Sequence, residues 1–145
     1  MVETAKIAAQ PLRYQLEEQV GFKLRLANQR HLEIFNRHMP DITPTQFAVL
    51  AKLLGEGHLS QNHLGRQVGM DAATTKGVID RLRKKGLVQS TASETDMRRL
   101  EISLTDEGRS FTANAVNTAL EISAETVSNL TPREVERLLT LLDKL

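Results

Sequence analysis

Side chains able to grip a polyanion are not spread evenly along this sequence. Lys76, Arg81, Arg83, Lys84 and Lys85 form a basic run in which Asp80 is the opposing acid, and Arg98 and Arg99 follow it. The whole chain balances 19 Lys and Arg against 18 Asp and Glu, a formal net charge of +1. Total charge therefore says nothing about an anionic partner, whereas the local concentration does. Overlapping the start of that run stand Ala72, Ala73, Thr74 and Gly77, small enough to let a helix backbone come close to a surface. Thr74 can offer a hydroxyl to a base edge or phosphate and a methyl to thymine, and Lys76 can reach guanine acceptors or a phosphate. A glycine inside a helix costs about 1 kcal/mol relative to alanine, a cost that close backbone approach would justify at Gly77.

Other chemistries find no matching pattern. His31 and His38 lie seven apart on one helical face, too far to share an ion within one helix. His58 and His63 have no acidic partner at ligand spacing, so no metal site is expected. The chain has no cysteine, which excludes disulfides, thiolate metal sites and thiol-based oxidant sensing. No Gly-rich phosphate loop or nucleophile elbow occurs, so neither an enzyme nor a cofactor is expected. Met1 to Pro11 hold no apolar run long enough for a signal peptide or membrane span; a cytoplasmic protein without membrane contact is expected. Aromatic residues are 3% with no Trp, too few for a single-strand binder built on stacking.

These side chains need a scaffold, and 145 residues suit one compact subunit. Residues 1–11 read as a loose tail ahead of a subunit over 12–145. From Leu12 to His38 the spacing is helical: Leu16, Val20, Leu24, Ala27, His31 and Ile34 share one face, and Phe22, Leu26 and Phe35 add a second apolar strip. A helix apolar on two sides has more than one face to bury, and in so small a chain the second face is expected to meet another subunit; one broad core face is the alternative. Pro40 stops it. Thr43-Pro44 with Gln46 opens the next helix, whose apolar face is Phe47, Val49, Leu50, Leu53 and Leu54, and which Gly55 and Gly57 end.

Ser60 caps a short helix carrying Leu64 and Val68 and closed by Gly69. Asp71 caps another that runs to Lys85, stops at Gly86 and buries Thr75, Val78, Ile79 and Leu82. Two short helices around Gly69-Met70 have the shape of a helix-turn-helix. Leu87, Val88, Ser90 and Thr91 then read as a strand, Glu94 to Arg98 as a polar turn, and Leu100, Ile102 and Leu104 alternate with Glu101 and Ser103 as a half-buried strand. A hairpin directly after the second helix makes a winged helix-turn-helix over 43–105. Thr105-Asp106-Glu107 starts a helix to about Asn129, carrying Phe111, Ala115, Ala119, Ile122 and Val127. A capping box at Thr131-Pro132-Arg133-Glu134 opens the last, with Val135, Leu138, Leu139, Leu142 and Leu145. The expected fold is mainly α with a small β-hairpin wing, and 12–38 and 106–145 supply dimerisation helices.

The stretch from Asp71 to Val88 resembles the recognition helix and first wing strand of MarR-family regulators. Asp96-Met-Arg-Arg-Leu-Glu-Ile-Ser-Leu-Thr-Asp-Glu-Gly108 resembles their wing. Together with the flanking helices, the resemblance spans nearly the whole chain. It implies a homodimer interlocked through its terminal helices, bound to a pseudo-palindromic double-stranded DNA operator. It implies DNA contacts from Ser60, Gln61, Ala73, Thr74, Lys76, Gly77 and Arg81. Arg98 would enter the minor groove with Asp96 holding its guanidinium, and Arg99 would meet phosphate. Members often carry Ser, Thr or Arg where this chain has Ala73, Lys76 and Gly77, a departure that bears on the operator sequence.

Many such regulators respond to small aromatic acids in a pocket between the dimer helices and the winged domain. Leu16-Glu-Glu-Gln-Val-Gly21 with Gln29-Arg-His31 is similar to members tied to aromatic-compound catabolism. Around the implied pocket, Arg25, Gln29, Arg30 and His31 with Phe47 would suit a small aromatic carboxylate or an acyl-coenzyme A effector. Against this stands a reading of His31 as a hydrogen-bonded interface residue and Arg25 as solvated. The expected function is thus a transcriptional repressor released by such an effector. A ligand-independent DNA-binding protein and a winged protein-interaction module remain as alternatives.

Overall fold

The computed structural model describes residues 13–145. The proposed tail over 1–11, and Leu12, lie outside the described residues. Among the described residues six α-helices and three short strands follow one another: α1 (Val20–His38), α2 (Pro44–Glu56), β1 (Leu59–Ser60), α3 (Gln61–Val68), α4 (Ala72–Lys84), β2 (Val88–Ala92), β3 (Leu100–Leu104), α5 (Asp106–Thr126) and α6 (Pro132–Leu142). This is the mainly helical, winged helix-turn-helix architecture that the sequence implies.

Side-chain caps place most helix starts. Thr43, Ser60, Asp71, Thr105 and Thr131 each accept a hydrogen bond from the main-chain N–H three residues on, and Thr43 and Thr131 form complete capping boxes with Gln46 and Glu134. The bond from the Thr131 N–H holds the Glu134 carboxyl below its usual range.

Several boundaries differ from the sequence expectation. The first helix starts at Val20, not Leu12. Before it, Leu16–Glu18 make a 3-10 turn and Gln19 is extended, with the Gln15 carbonyl accepting from the Glu18 N–H and from the Gln19 side-chain amide. Those bonds take the place of an α-helical ladder. The second helix runs through Gly55 and ends at Gly57, whose φ of +86° is the left-handed turn a stop requires. The fifth ends at Thr126, with residues 127–129 in a turn.

The sheet order is β1-β3-β2, antiparallel throughout; Leu59 pairs with Ile102, and Val88 to Ala92 pair with Leu104 to Leu100. β1 is only two residues long and has no periodicity to reveal it. In β3 the expected alternation fails at both ends. Leu100 is exposed, being paired with Ala92 at the far end of the hairpin, while Ser103 is buried where α2, α3 and α5 pack on the strand.

One hydrophobic cluster joins Ile34 and Phe35 of α1, Val49, Leu50 and Leu53 of α2, Leu64 of α3, and Val78, Ile79 and Leu82 of α4 to Val88, Ile102 and Leu104 of the sheet and Ala115 and Ile122 of α5. Only these two residues of α1 are buried. Val20, Leu24 and Leu26 are exposed because α1 lies against α5 chiefly through its C-terminal half. The α6 leucines are exposed too, Leu139 at 59%, as is Leu145 beyond the helix at 84%. Among the described residues no helix is long and apolar enough to cross a membrane.

Candidate nucleic-acid interface

Helix α4 buries Thr75, Val78, Ile79 and Leu82 and turns Ala72, Ala73, Thr74, Lys76 and Arg81 outward. Its start is set by Asp71, whose Oδ1 accepts from the Thr74 N–H at 2.7 Å; that bond lowers the Asp71 pKa. Helix α3 crosses closely underneath. A Cβ at Gly65 would lie 2.6 Å from the Thr75 Oγ1, so a glycine is what lets the two helices of the pair meet. Thr75 in turn donates to the Asp71 carbonyl at 2.7 Å.

The basic run is not uniformly available. Lys76 Nζ lies 2.8 Å from Asp80 Oδ2, and Arg83 Nη1 lies 2.9 Å from Asp80 Oδ1. Arg83 also donates to the Ser90 hydroxyl at 2.6 Å, tying α4 to β2. Lys85 donates to the Asp41 carbonyl, which faces it across the loop after α1. Arg81 lies back along the helix over Gly77: a Cβ added there would stand 3.4 Å from Arg81 Nη1.

That contact is with the end of a flexible side chain, so the fold leaves room for a methyl. Gly77→Ala should therefore stabilise the folded protein by up to about 1 kcal/mol, raising the midpoint of thermal unfolding. If the helix backbone approaches DNA closely at this point, the same change lowers duplex affinity. A variant that melts higher and binds equally well would remove close approach as the reason for Gly77.

The wing is a closed turn. The Ser93 hydroxyl accepts from the Thr95 and Asp96 N–H groups, and Asp96 Oδ1 accepts from the Arg98 N–H at 3.1 Å. Arg98 Nε lies 3.6 Å from the same carboxylate oxygen, and the arginine side chain is 93% exposed. Asp96 thus holds the main chain of Arg98 more closely than its guanidinium. Arg98, Arg99 and Leu100 share a groove of about 330 Å³ with Ser60, Gln61 and Asn62 at the start of α3. Four of the residues expected at the DNA surface, Ser60, Gln61, Arg98 and Arg99, meet in it, although the two pairs are offset by 38 positions in sequence. Asn62 and Leu100 were not among the residues selected from the sequence; nothing local marks them, since only tertiary packing brings the wing beside α3.

The residues selected for an effector are dispersed on and around α1. Arg25 stacks on the Phe22 ring, 5.4 Å from its centroid, and Gln29 is exposed. Arg30 donates to the Glu125 and Thr126 carbonyls, capping the C-terminus of α5. His31 Nδ1 lies 3.0 Å from the Thr126 hydroxyl, which donates its own proton to the Ile122 carbonyl at 2.8 Å. The hydroxyl can then only accept from His31, which fixes the proton on Nδ1 and leaves Nε2 as the second polar edge. Phe47 packs edge-on to Phe35, with centroids 6.4 Å apart. Two turns further along α1 from Arg30 and His31, Arg37 and His38 both grip the Glu125 carboxylate, His38 first and Arg37 second in lowering its pKa.

Beside this clasp is a depression of about 220 Å³ lined by His38, Met39, Pro40, Asp41, Phe111, Asn114, Ala115 and Thr118. Its walls lie at least 70 positions apart in sequence, from Asp41 to Phe111, so no spacing could have revealed it. Among the described residues no three histidine or acidic side chains group as a metal-ligand set.

Comparison with known proteins agrees with this geometry. The MarR family profile matches residues 42–100, the winged region. The transcriptional repressor NicR of Pseudomonas putida is 34% identical over 134 residues, covering 91% of this chain and 85% of NicR. Among solved structures, a "probable transcriptional regulator" from Pseudomonas aeruginosa is 43% identical, with a TM-score of 0.84 over 90% of this chain and 98% of its own. BpsR of Bordetella bronchiseptica, whose DNA binding is regulated by 6-hydroxynicotinic acid, is 35% identical, with a TM-score of 0.86 over 93% of this chain and 96% of its own. Likeness at this identity and coverage goes beyond a shared architecture, and the chain belongs to the MarR family: it is a DNA-binding transcriptional regulator built on a winged helix-turn-helix.

Proposed function

We propose that the protein is a homodimeric repressor that grips a pseudo-palindromic operator and releases it on binding a small aromatic acid or its coenzyme A thioester. The observation that carries the DNA reading is the groove in which Arg98 and Arg99 of the wing meet Ser60 and Gln61 at the start of α3, where Gln61 and Asn62 also border Asp71 and Ala72 at the start of α4. A two-fold dimer would set its two α4 helices about 34 Å apart, in successive turns of the major groove. The dimer reading is supported by exposed apolar side chains on α1 and α6: Val20, Leu24, Leu138, Leu139, Leu141 and Leu142 have no reason to face water in a lone subunit.

The effector reading is supported by the company the chain keeps: a repressor, NicR, and a regulator that answers to a hydroxylated pyridine carboxylate, BpsR. Arg25, Gln29 and the Nε2 edge of His31 would receive a carboxylate or ring hydroxyl, and Phe47 a ring face. Arg30 would act through the α5 terminus it already caps. The depression beside His38, with the Asn114 amide, the Thr118 hydroxyl and the Phe111 ring, offers the same chemistry.

The test is a fluorescence-anisotropy titration of a duplex selected by the protein from a random pool, repeated with hydroxynicotinic acids, hydroxybenzoic acids and their coenzyme A thioesters. At least one compound should weaken binding about tenfold, which corresponds to about 1.4 kcal/mol of coupling. If calorimetry finds no binder and no compound changes affinity, the protein is a ligand-independent regulator. Light scattering that gives a stable monomer at micromolar concentration would remove the dimer.

A further inference from the structure

Recognition helix α4 carries one carboxylate among its cations, and that carboxylate is fully engaged. Asp80 Oδ2 holds Lys76 Nζ at 2.8 Å, one turn toward the helix start, and Oδ1 holds Arg83 Nη1 at 2.9 Å, one turn toward its end. Arg83 is anchored a second time by the Ser90 hydroxyl. Asp80 is half-buried, and the bond from Lys76 leads the contacts that keep its carboxyl below the usual range. The Lys76 ammonium, whose side chain is 67% exposed, is thus drawn back along the helix instead of reaching away from it.

We propose that Asp80 sets the sequence selectivity of DNA binding by competing with the DNA backbone for Lys76 and Arg83. A phosphate offers each cation much what the carboxylate already gives, so random DNA gains little from capturing either. A guanine edge offers Lys76 two acceptors in fixed positions, N7 and O6, and repays the lost ion pair. Asp80 also removes one positive charge from a surface whose non-specific affinity is set by phosphate neutralisation. Its effect therefore falls mainly on wrong sequences. The inference rests on α4 being the groove helix.

Asp80→Asn preserves the shape of the side chain, deletes the charge and turns one of the two acceptor oxygens into an amide donor, so it cannot hold both cations. The probes are the duplex that the wild type selects from a random pool and a scrambled duplex of the same base composition, each titrated at two or more salt concentrations. With the scrambled duplex, Asp80→Asn should bind about five- to tenfold more tightly, the scale of releasing exposed ion pairs. The slope of log affinity against log salt should steepen by about one for each cation released. Affinity for the selected duplex should change less, so the ratio between the two falls. In a Lys76→Ala background the Asp80 substitution should lose most of its effect, which a merely structural carboxylate would not show. An equal gain on both duplexes would make Asp80 a bulk charge and overturn the proposal, as would unchanged affinities and slope, or weaker binding to both. A wild type that does not prefer its selected duplex over the scrambled one would instead overturn the assignment of α4 to the groove.

Discussion

Arg98→Ala should lower operator affinity by about ten- to a hundredfold while leaving the melting temperature unchanged. The size follows from the loss of a charged hydrogen-bonding group, worth about 1.5–3 kcal/mol where it is engaged. The separation from stability follows from position: the side chain is 93% exposed at the tip of the hairpin, with the Asp96 carboxylate as its charged neighbour. A guanidinium is less strongly hydrated than an ammonium and can enter a narrow groove at smaller cost, so Arg98→Lys should recover charge but only part of the affinity. The salt dependence should flatten in Arg98→Ala because fewer counterions are released. Asp96→Ala should give a milder defect, by loosening the turn through its bond to the Arg98 N–H rather than by freeing the guanidinium. Unchanged affinity and slope in Arg98→Ala would mean that the wing is a solvated loop and that binding rests on α3 and α4.

The largest effect on stability is expected from a single methyl group at Gly108. A Cβ there would stand 1.9 Å from the Leu87 carbonyl oxygen and 2.8 Å from its carbon. Neither side can yield easily. The Leu87 carbonyl accepts from the Thr105 N–H, and the Thr105 hydroxyl accepts from the Gly108 N–H at 2.9 Å while donating to the Gly86 carbonyl at 2.6 Å. Gly108→Ala should cost about 3 kcal/mol or more, the upper range for overpacking against main chain. That is a large part of the about 5–15 kcal/mol that holds a typical domain together. Urea denaturation would measure it. The same substitution at Gly77 should shift the midpoint in the opposite direction, because the nearest atoms there belong to the flexible end of Arg81. A Gly108→Ala variant as stable as the wild type would show that α5 and the strand start can move apart.

The five capped helix starts were legible because a cap is a local event: Ser, Thr or Asp accepts an N–H three residues on, and both ends of that bond lie in one short window; the start of α1, where Gln19 makes no side-chain cap, was not. The inward face of α4 was legible because a helical period repeats within one element, and Thr75, Val78, Ile79 and Leu82 are buried as the spacing implies. The pairing of Lys76 with Asp80 was open to the same reading, since residues four apart on a helix are neighbours. The Leu104-Thr105-Asp106-Glu107-Gly108 pattern was visible as a signature, but its reason lies in the Leu87 backbone that passes over the glycine. Only the tertiary structure could supply that reason. It likewise decided that Arg30 caps a helix 95 residues away, that Ser103 is buried and Leu100 is not, and that the wing closes a groove with Ser60 and Gln61. Periodicity records which face of an element turns inward; it carries no information about which distant element that face, or the end of a long side chain, will meet.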